Sequence, residues 1–172
     1  MLRRFCKIFI VVCVVTLLAL RERSLGSDET LRADFLSVGQ GSAVLLTSPS
    51  GKQILLDGGP DWSVLEELGR HMPFLDRTIE LVVLTHPDAD HLNGLLPVIE
   101  RYDVRRILMT GIAHSSLRYA AFLRMVQERQ ITVIFADPAH DIDMGDGLLL
   151  DVVWPPPTAR GRTFANPNDT SI

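Results

Sequence analysis

Two imidazoles and two carboxylates fall within six residues, at His86, Asp88, Asp90 and His91. Neutral imidazole nitrogen and ionised carboxylate oxygen are the donors that hold divalent cations, so this segment is a candidate metal centre. The chemistry such a centre supplies is hydrolysis. A bound ion brings the pKa of water from about 15.7 to about 7, and a second ion about 3.5 to 4 Å away holds the leaving or non-bridging oxygen.

Six residues cannot position themselves. Immediately upstream, Leu81-Val82-Val83-Leu84 reads as a buried strand. Pro87 removes a backbone donor and stiffens the turn, and His91 to Tyr102 predicts a helix with Leu92, Leu95, Leu96 and Ile99 on one face. A strand ending in a turn that feeds a helix can aim several side chains into one cleft. Leu31 to Val38, Ala43 to Thr47 and Gln53 to Asp57 predict three earlier strands, the last two joined through Ser48-Pro49-Ser50-Gly51. Trp62 to His71 predicts a helix closed by Pro73; Val104 to Thr110, Ile131 to Ala136 and Leu148 to Trp154 predict strands; Ser115 to Arg129 predicts an amphipathic helix. A meander followed by alternating strands and helices indicates a mixed-sheet α/β architecture.

Several classes are excluded. With 172 residues, 47% hydrophobic and 22% charged, the chain suits one folded domain and not a disordered one. The net charge of −4, without a long basic block, gives no support to tight nucleic-acid binding, so such a substrate would be held by metals and a few arginines. Both cysteines, Cys6 and Cys13, lie in the first apolar run, which rules out a disulfide framework and a Cys-ligated zinc in the globular part. Val38-Gly39-Gln40-Gly41 lacks the third glycine of a dinucleotide fingerprint, and Gly51-Lys52 lacks the upstream glycine of a phosphate loop. His140 to Gly147 fails as a calcium loop, because Asp146 stands at the required glycine and Val152 at the terminal glutamate; it reads as a tight turn. His71, His114 and His140 read as surface or loop histidines.

The spacing His86-x-Asp88-x-Asp90-His91 resembles the H-x-H-x-D-H signature of the metallo-β-lactamase-fold hydrolases, with Asp88 at the second histidine. With Val38-Gly39-Gln40-Gly41, Ser48-Pro49-Ser50-Gly51-Lys52, Ile54-Leu55-Leu56-Asp57-Gly58-Gly59 and Thr85-His86-Pro87 in order, the chain from about Leu31 to Ile172 is similar to the hydrolase domain attached to the DNA-uptake channel protein ComEC. Ser37 and Ser42 stand where ComEC-like domains more often carry aspartate.

That resemblance implies an αββα sandwich, of which the chain would be the N-terminal half, with a second half opening near Asn168-Asp169-Thr170-Ser171-Ile172 and supplying a bridging aspartate and a further histidine. It implies two divalent ions, His86 and Asp88 on one, Asp90 and His91 on the other, with Asp90 also the catalytic residue that receives a proton from the nucleophilic water. Asp57, Gly58 and Gly59 would support the turn, the glycines by letting the backbone pass close. A carboxylate at Asp88 hardens its site, moving preference from zinc towards manganese or magnesium. Four side chains are few for two ions, so water or a partner chain would complete them.

The first residues carry a separate expectation. Met1-Leu2-Arg3-Arg4 is basic and Ile8 to Leu20 is apolar except for Thr16, the layout of a signal peptide or signal anchor, with a linker to Thr30. Thirteen residues span roughly 20 Å as helix, extended by Phe5 and a snorkelling Lys7, so residues 5 to 20 would contact the cytoplasmic membrane. The leading positive charge leaves the domain outside, anchored or released by cleavage. Three functions fit: a phosphodiesterase acting on DNA, a non-catalytic remnant or tethered half-domain needing a complementary chain, and a hydrolase of small esters or lactams.

Overall fold

The computed structural model describes residues 30 to 172, and before them Val14 alone. The apolar run expected to meet the membrane therefore lies outside the described residues. Among those described, no helix is long and apolar enough to cross a membrane.

A six-stranded mixed sheet carries the fold, in the order β1-β2-β3-β5-β7-β8. β1 (Arg32–Phe35), β2 (Val44–Thr47) and β3 (Gln53–Leu56) form the antiparallel meander. Parallel pairing then joins β3 to β5 (Leu81–Leu84), β5 to β7 (Arg106–Met109) and β7 to β8 (Thr132–Phe135). Every residue of β5 is buried, as a central parallel strand covered on both faces requires. Successive side chains alternate, so Val82 and Leu84 enter one cluster while Leu81 and Val83 enter the other.

Helices cover the first face. α1 (Ser63–His71) buries Val64, Glu67 and Leu68. α2 (Ala89–Leu92) and α3 (Leu95–Arg101) follow β5, and α4 (Leu117–Glu128) buries Tyr119, Phe122 and Val126 after a cap in which Ser116 Oγ accepts from Arg118 N at 3.2 Å. The second face is covered by the hairpin of β9 (Ile142–Asp143) and β10 (Leu149–Leu150), together with Met144, Val152 and Ile172.

Four departures from the sequence pattern have physical causes. The helix expected over His91 to Tyr102 is broken at Asn93-Gly94, because Gly94 N bonds Gly59 O at 3.0 Å and is pulled onto the neighbouring loop. The strand expected over Val104 to Thr110 is split: β6 (Asp103–Val104) pairs with β4 (Thr78–Ile79), and Arg105 N turns to Ile79 O before β7 begins. Leu148 to Trp154 keeps strand form only at Leu149–Leu150, where β9 is available as a partner. The first strand stops at Phe35, where the chain turns through Leu36 N to Ala43 O and Val38 N to Leu36 O.

Candidate metal centre

The C-terminal ends of β3 and β5 lie side by side, which brings Asp57 against the turn at Thr85 to His91. Asp57 is 3% exposed and has φ of +57°, a left-handed backbone that aspartate tolerates better than most residues. Its carboxylate accepts three hydrogen bonds. Oδ1 accepts from Thr85 N at 2.9 Å, and Oδ2 accepts from Thr85 Oγ1 at 2.7 Å and from His91 Nδ1 at 2.7 Å.

These bonds fix both imidazole tautomers. Because Asp57 can only accept, His91 Nδ1 carries a hydrogen, and in the neutral ring Nε2 keeps its lone pair. Thr85 has one hydroxyl hydrogen and gives it to Asp57, so at 3.0 Å from His86 Nδ1 it must accept. His86 is thereby also protonated at Nδ1 and free at Nε2. One buried carboxylate thus leaves two ring nitrogens ready to act as ligands, the orienting role that outer partners play around metals.

The free nitrogens face the two carboxylates. His86 Nε2 stands 3.5 Å from Asp88 Oδ2, and His91 Nε2 stands 3.8 Å from Asp90 Oδ2. Both are too long for hydrogen bonds. Two ligands of one tetrahedral ion, each about 2.0 to 2.2 Å from it, stand about 3.4 Å apart, so the spacing suits donors that share a cation. The two rings are 4.0 Å apart between centroids and tilted by 49°. Among the described residues no three His, Cys, Asp or Glu side chains close on a common point. The donors therefore fit divalent ions as two open N,O pairs and not as a cage.

Burial lowers the pKa of His86, and the neighbouring His91 lowers it further. The hydrogen bond to Asp57 raises that of His91. His86 is 3% exposed, and Asp88, Asp90 and His91 are partly open to solvent.

Bare main chain holds the turn in place. Gly58 N donates to His91 O at 2.7 Å, and Ser42 N donates to Asp90 O at 3.2 Å. A Cβ on Gly94 would lie 1.8 Å from Gly58 O, one on Gly58 would lie 2.5 Å from Leu95 N, and one on Gly41 would lie 2.4 Å from Asp90 O. Gly59, at φ +70°, donates to Ser42 O at 2.9 Å. The glycine turn after β1 is thus a wall of the site built from backbone, although Ser37 and Ser42 carry no carboxylate.

The structure gathers all four candidate ligands with Asp57, Gly58 and Gly59. His71 lies elsewhere, 3.3 Å from Asp34; His114 accepts from Ser116 N at 3.3 Å in the loop after β7; His140 lies 3.3 Å from Asp137 on the far hairpin approach. Sequence reasoning missed Thr85 as the hydroxyl between Asp57 and His86. It also missed Asn168 and Ser171, whose side chains reach Asp88 Oδ2 and His86 Nδ1, each at 3.3 Å. Thr85 could have been found, since a hydroxyl beside a candidate ligand is a common orienting group; the resemblance marked Asn168 to Ile172 only as the opening of a second half.

Residues 36 to 161 match the family model described as "Metallo-beta-lactamase superfamily". Recombination protein 2 of Haemophilus influenzae is 33% identical in an alignment of 102 positions that covers 56% of this chain and 12% of that protein. The chain thus spans about an eighth of the length of that curated relative. Among solved structures, a peroxy diiron form of the chemotaxis sensor ODP aligns with TM-score 0.48 and 20% identity, covering 71% of this chain and 48% of that one. A diphosphatase of the PhnP family aligns at 0.40 and 19%, covering 60% and 39%, and the mono-zinc form of the metallo-beta-lactamase FIM-1 from Pseudomonas aeruginosa at 0.36 and 17%, covering 72% and 59%.

Proposed function

The chain belongs to the metallo-beta-lactamase superfamily, and from that premise we propose that it is a metal-dependent hydrolase of the ComEC-like branch acting on phosphodiesters, with DNA as the substrate. The observation that carries the reading is the pairing of two tautomer-fixed imidazoles with two carboxylates at 3.5 and 3.8 Å. The H-x-D-x-D-H spacing, and the likeness to a protein named for recombination, support the choice of DNA over small esters or lactams.

In this reading His86 and Asp88 hold one divalent ion, while Asp90 and His91 hold the other. When bound, such ions supply water activated to hydroxide near neutral pH and neutralise the charge that builds on phosphate oxygens. Asp57 keeps both imidazoles facing the site, and Asp90, the more exposed carboxylate, receives the proton released by the attacking water. With an oxygen donor at Asp88, manganese or magnesium suits the first position at least as well as zinc.

The test is cleavage of single-stranded DNA by the purified chain in Mn²⁺. Wild type should nick it and Asp90→Ala should not; no cleavage above the variant's background ends the proposal. A second reading draws on one observation, that among the described residues no three donors close on a point: a tethered half-domain completed by another chain. Stoichiometric metal uptake by this chain alone would rule that out. Anchoring through residues 5 to 20 is proposed with either reading, and protease shaving of intact cells, releasing the domain, tests it.

A further inference from the structure

The segment Asn166 to Ile172 comes from far along the chain and docks on the metal turn at three points. Asn168 Nδ2 donates to Asp88 Oδ2 at 3.3 Å, Ser171 Oγ lies 3.3 Å from His86 Nδ1, and Ile172 N donates to Thr85 O at 3.4 Å. The segment is itself locked. Thr170, 1% exposed, donates to Pro167 O at 2.9 Å within a 3₁₀ turn (Pro167–Thr170), and Trp154 Nε1 donates to Asp169 O at 3.0 Å.

We propose that Asn168 and Ser171 are positioning residues for the metal pair His86 and Asp88, setting the direction in which those two ligands face the ion. The proposal rests on the reading of the turn as metal-binding. The Asn168 amide spends one N–H on Asn166 Oδ1 at 3.0 Å and aims the other at Asp88, so its plane is fixed before it meets the carboxylate. Among the described residues this is the only hydrogen bond to the Asp88 side chain. Without it, a partly exposed carboxylate swings about its terminal torsion, which is broad and roughly two-fold. Ser171 acts on the other ligand. The hydrogen on His86 Nδ1 already points to Thr85 Oγ1 at 3.0 Å, so Ser171 Oγ, at 3.3 Å, is a second acceptor for the same hydrogen. Ser171 acts on the ring nitrogen turned away from the ion, and Asn168 on the same Asp88 oxygen that faces His86 Nε2, whose second lone pair is left for the cation; loss of such outer partners costs about 10- to 100-fold in metal affinity.

A segment that only closed the fold would give a different result, and the stability of the metal-free protein separates the two. Expected by Mn²⁺ titration calorimetry is binding about tenfold weaker in Asn168→Ala and in Ser171→Ala. The metal-free unfolding midpoint should stay near wild type in both variants. Bound Co²⁺ should show a shifted visible spectrum in Asn168→Ala. Unchanged affinity in the alanine variants overturns the positioning role while leaving the hydrolase reading in place. Affinity and metal-free stability falling together in the alanine variants also overturns it, assigning the segment to folding alone. A wild-type chain that takes up no Mn²⁺ overturns the reading of the turn itself.

Discussion

Asp57 and Asp146 both accept side-chain hydroxyls, one at Asp57 and two at Asp146, and they lead to opposite outcomes. Asp146 sits in the turn of the β9–β10 hairpin, where one oxygen accepts from Ser48 Oγ and Ser50 Oγ, each at 2.5 Å. Lys52 joins the same contact through the carbonyl of Met144. This pins the β2–β3 turn to the hairpin across nearly a hundred residues of chain, and it stops within that turn, since beyond a 3.2 Å contact to each other the serines only accept Lys52 N, on Ser48 Oγ at 3.1 Å. Asp57 is buried, and each side-chain donor it takes has a second end directed at the metal turn: Thr85 on to His86, His91 on to Asp90. The same carboxylate chemistry is a clip where its donors terminate and an organiser where they continue.

The sharpest way to break this contrast is Asp57→Ala. It leaves Thr85 N and the His91 ring without their buried acceptor and puts alanine at a positive φ. A loss of about 3 kcal/mol in urea unfolding and the disappearance of Mn²⁺ uptake are expected. Asp57→Asn sharpens it, since asparagine tolerates the backbone and keeps one acceptor, but its NH₂ faces groups that need to donate. Stability should fall by about 1 to 2 kcal/mol while metal affinity falls as far as in the alanine variant, read in the same two assays. Thr85→Val removes the hydroxyl between Asp57 and His86 with little change of shape. It is expected to cost about 1 kcal/mol and to weaken Mn²⁺ binding about tenfold.

Asp146→Ala should move stability least, by less than about 1 kcal/mol, and metal affinity not at all. Its pH signature is distinctive. The serine hydroxyls hold the Asp146 pKa at about 2, below the ordinary 3.8, so the stabilisation is complete above about pH 4 and is lost as pH falls through 2. Wild type and Asp146→Ala should therefore differ in unfolding midpoint at pH 6 and converge near pH 2. A metal-binding defect in Asp146→Ala would dissolve the distinction between the two carboxylates.

The part of the site written in one stretch of chain was legible from residue order. Leu81 to Leu84 announced a buried strand, and whatever follows its end must emerge beside its neighbour's end, which is how Asp57 and His91 meet at 2.7 Å. Asn168 and Ser171 were not legible, because 80 and 85 residues separate them from Asp88 and His86 and the segment has no periodicity. The break at Asn93-Gly94 was hidden for another reason. Leu92, Leu95, Leu96 and Ile99 keep helical spacing across it, so the apolar pattern gave no sign that a main-chain carbonyl from the glycine loop would interrupt. The two-residue pairing of β4 with β6 is too short to leave a pattern at all.

The glycine contacts at Gly41, Gly58 and Gly94 bear on how this site could diversify. Where one peptide plane lies directly on another, no side chain exists to be exchanged, so heredity has nothing there to vary. A laboratory search for altered selectivity would find its tolerant positions among the more exposed side chains of the turn, the ligands excepted, and would return these three glycines unchanged.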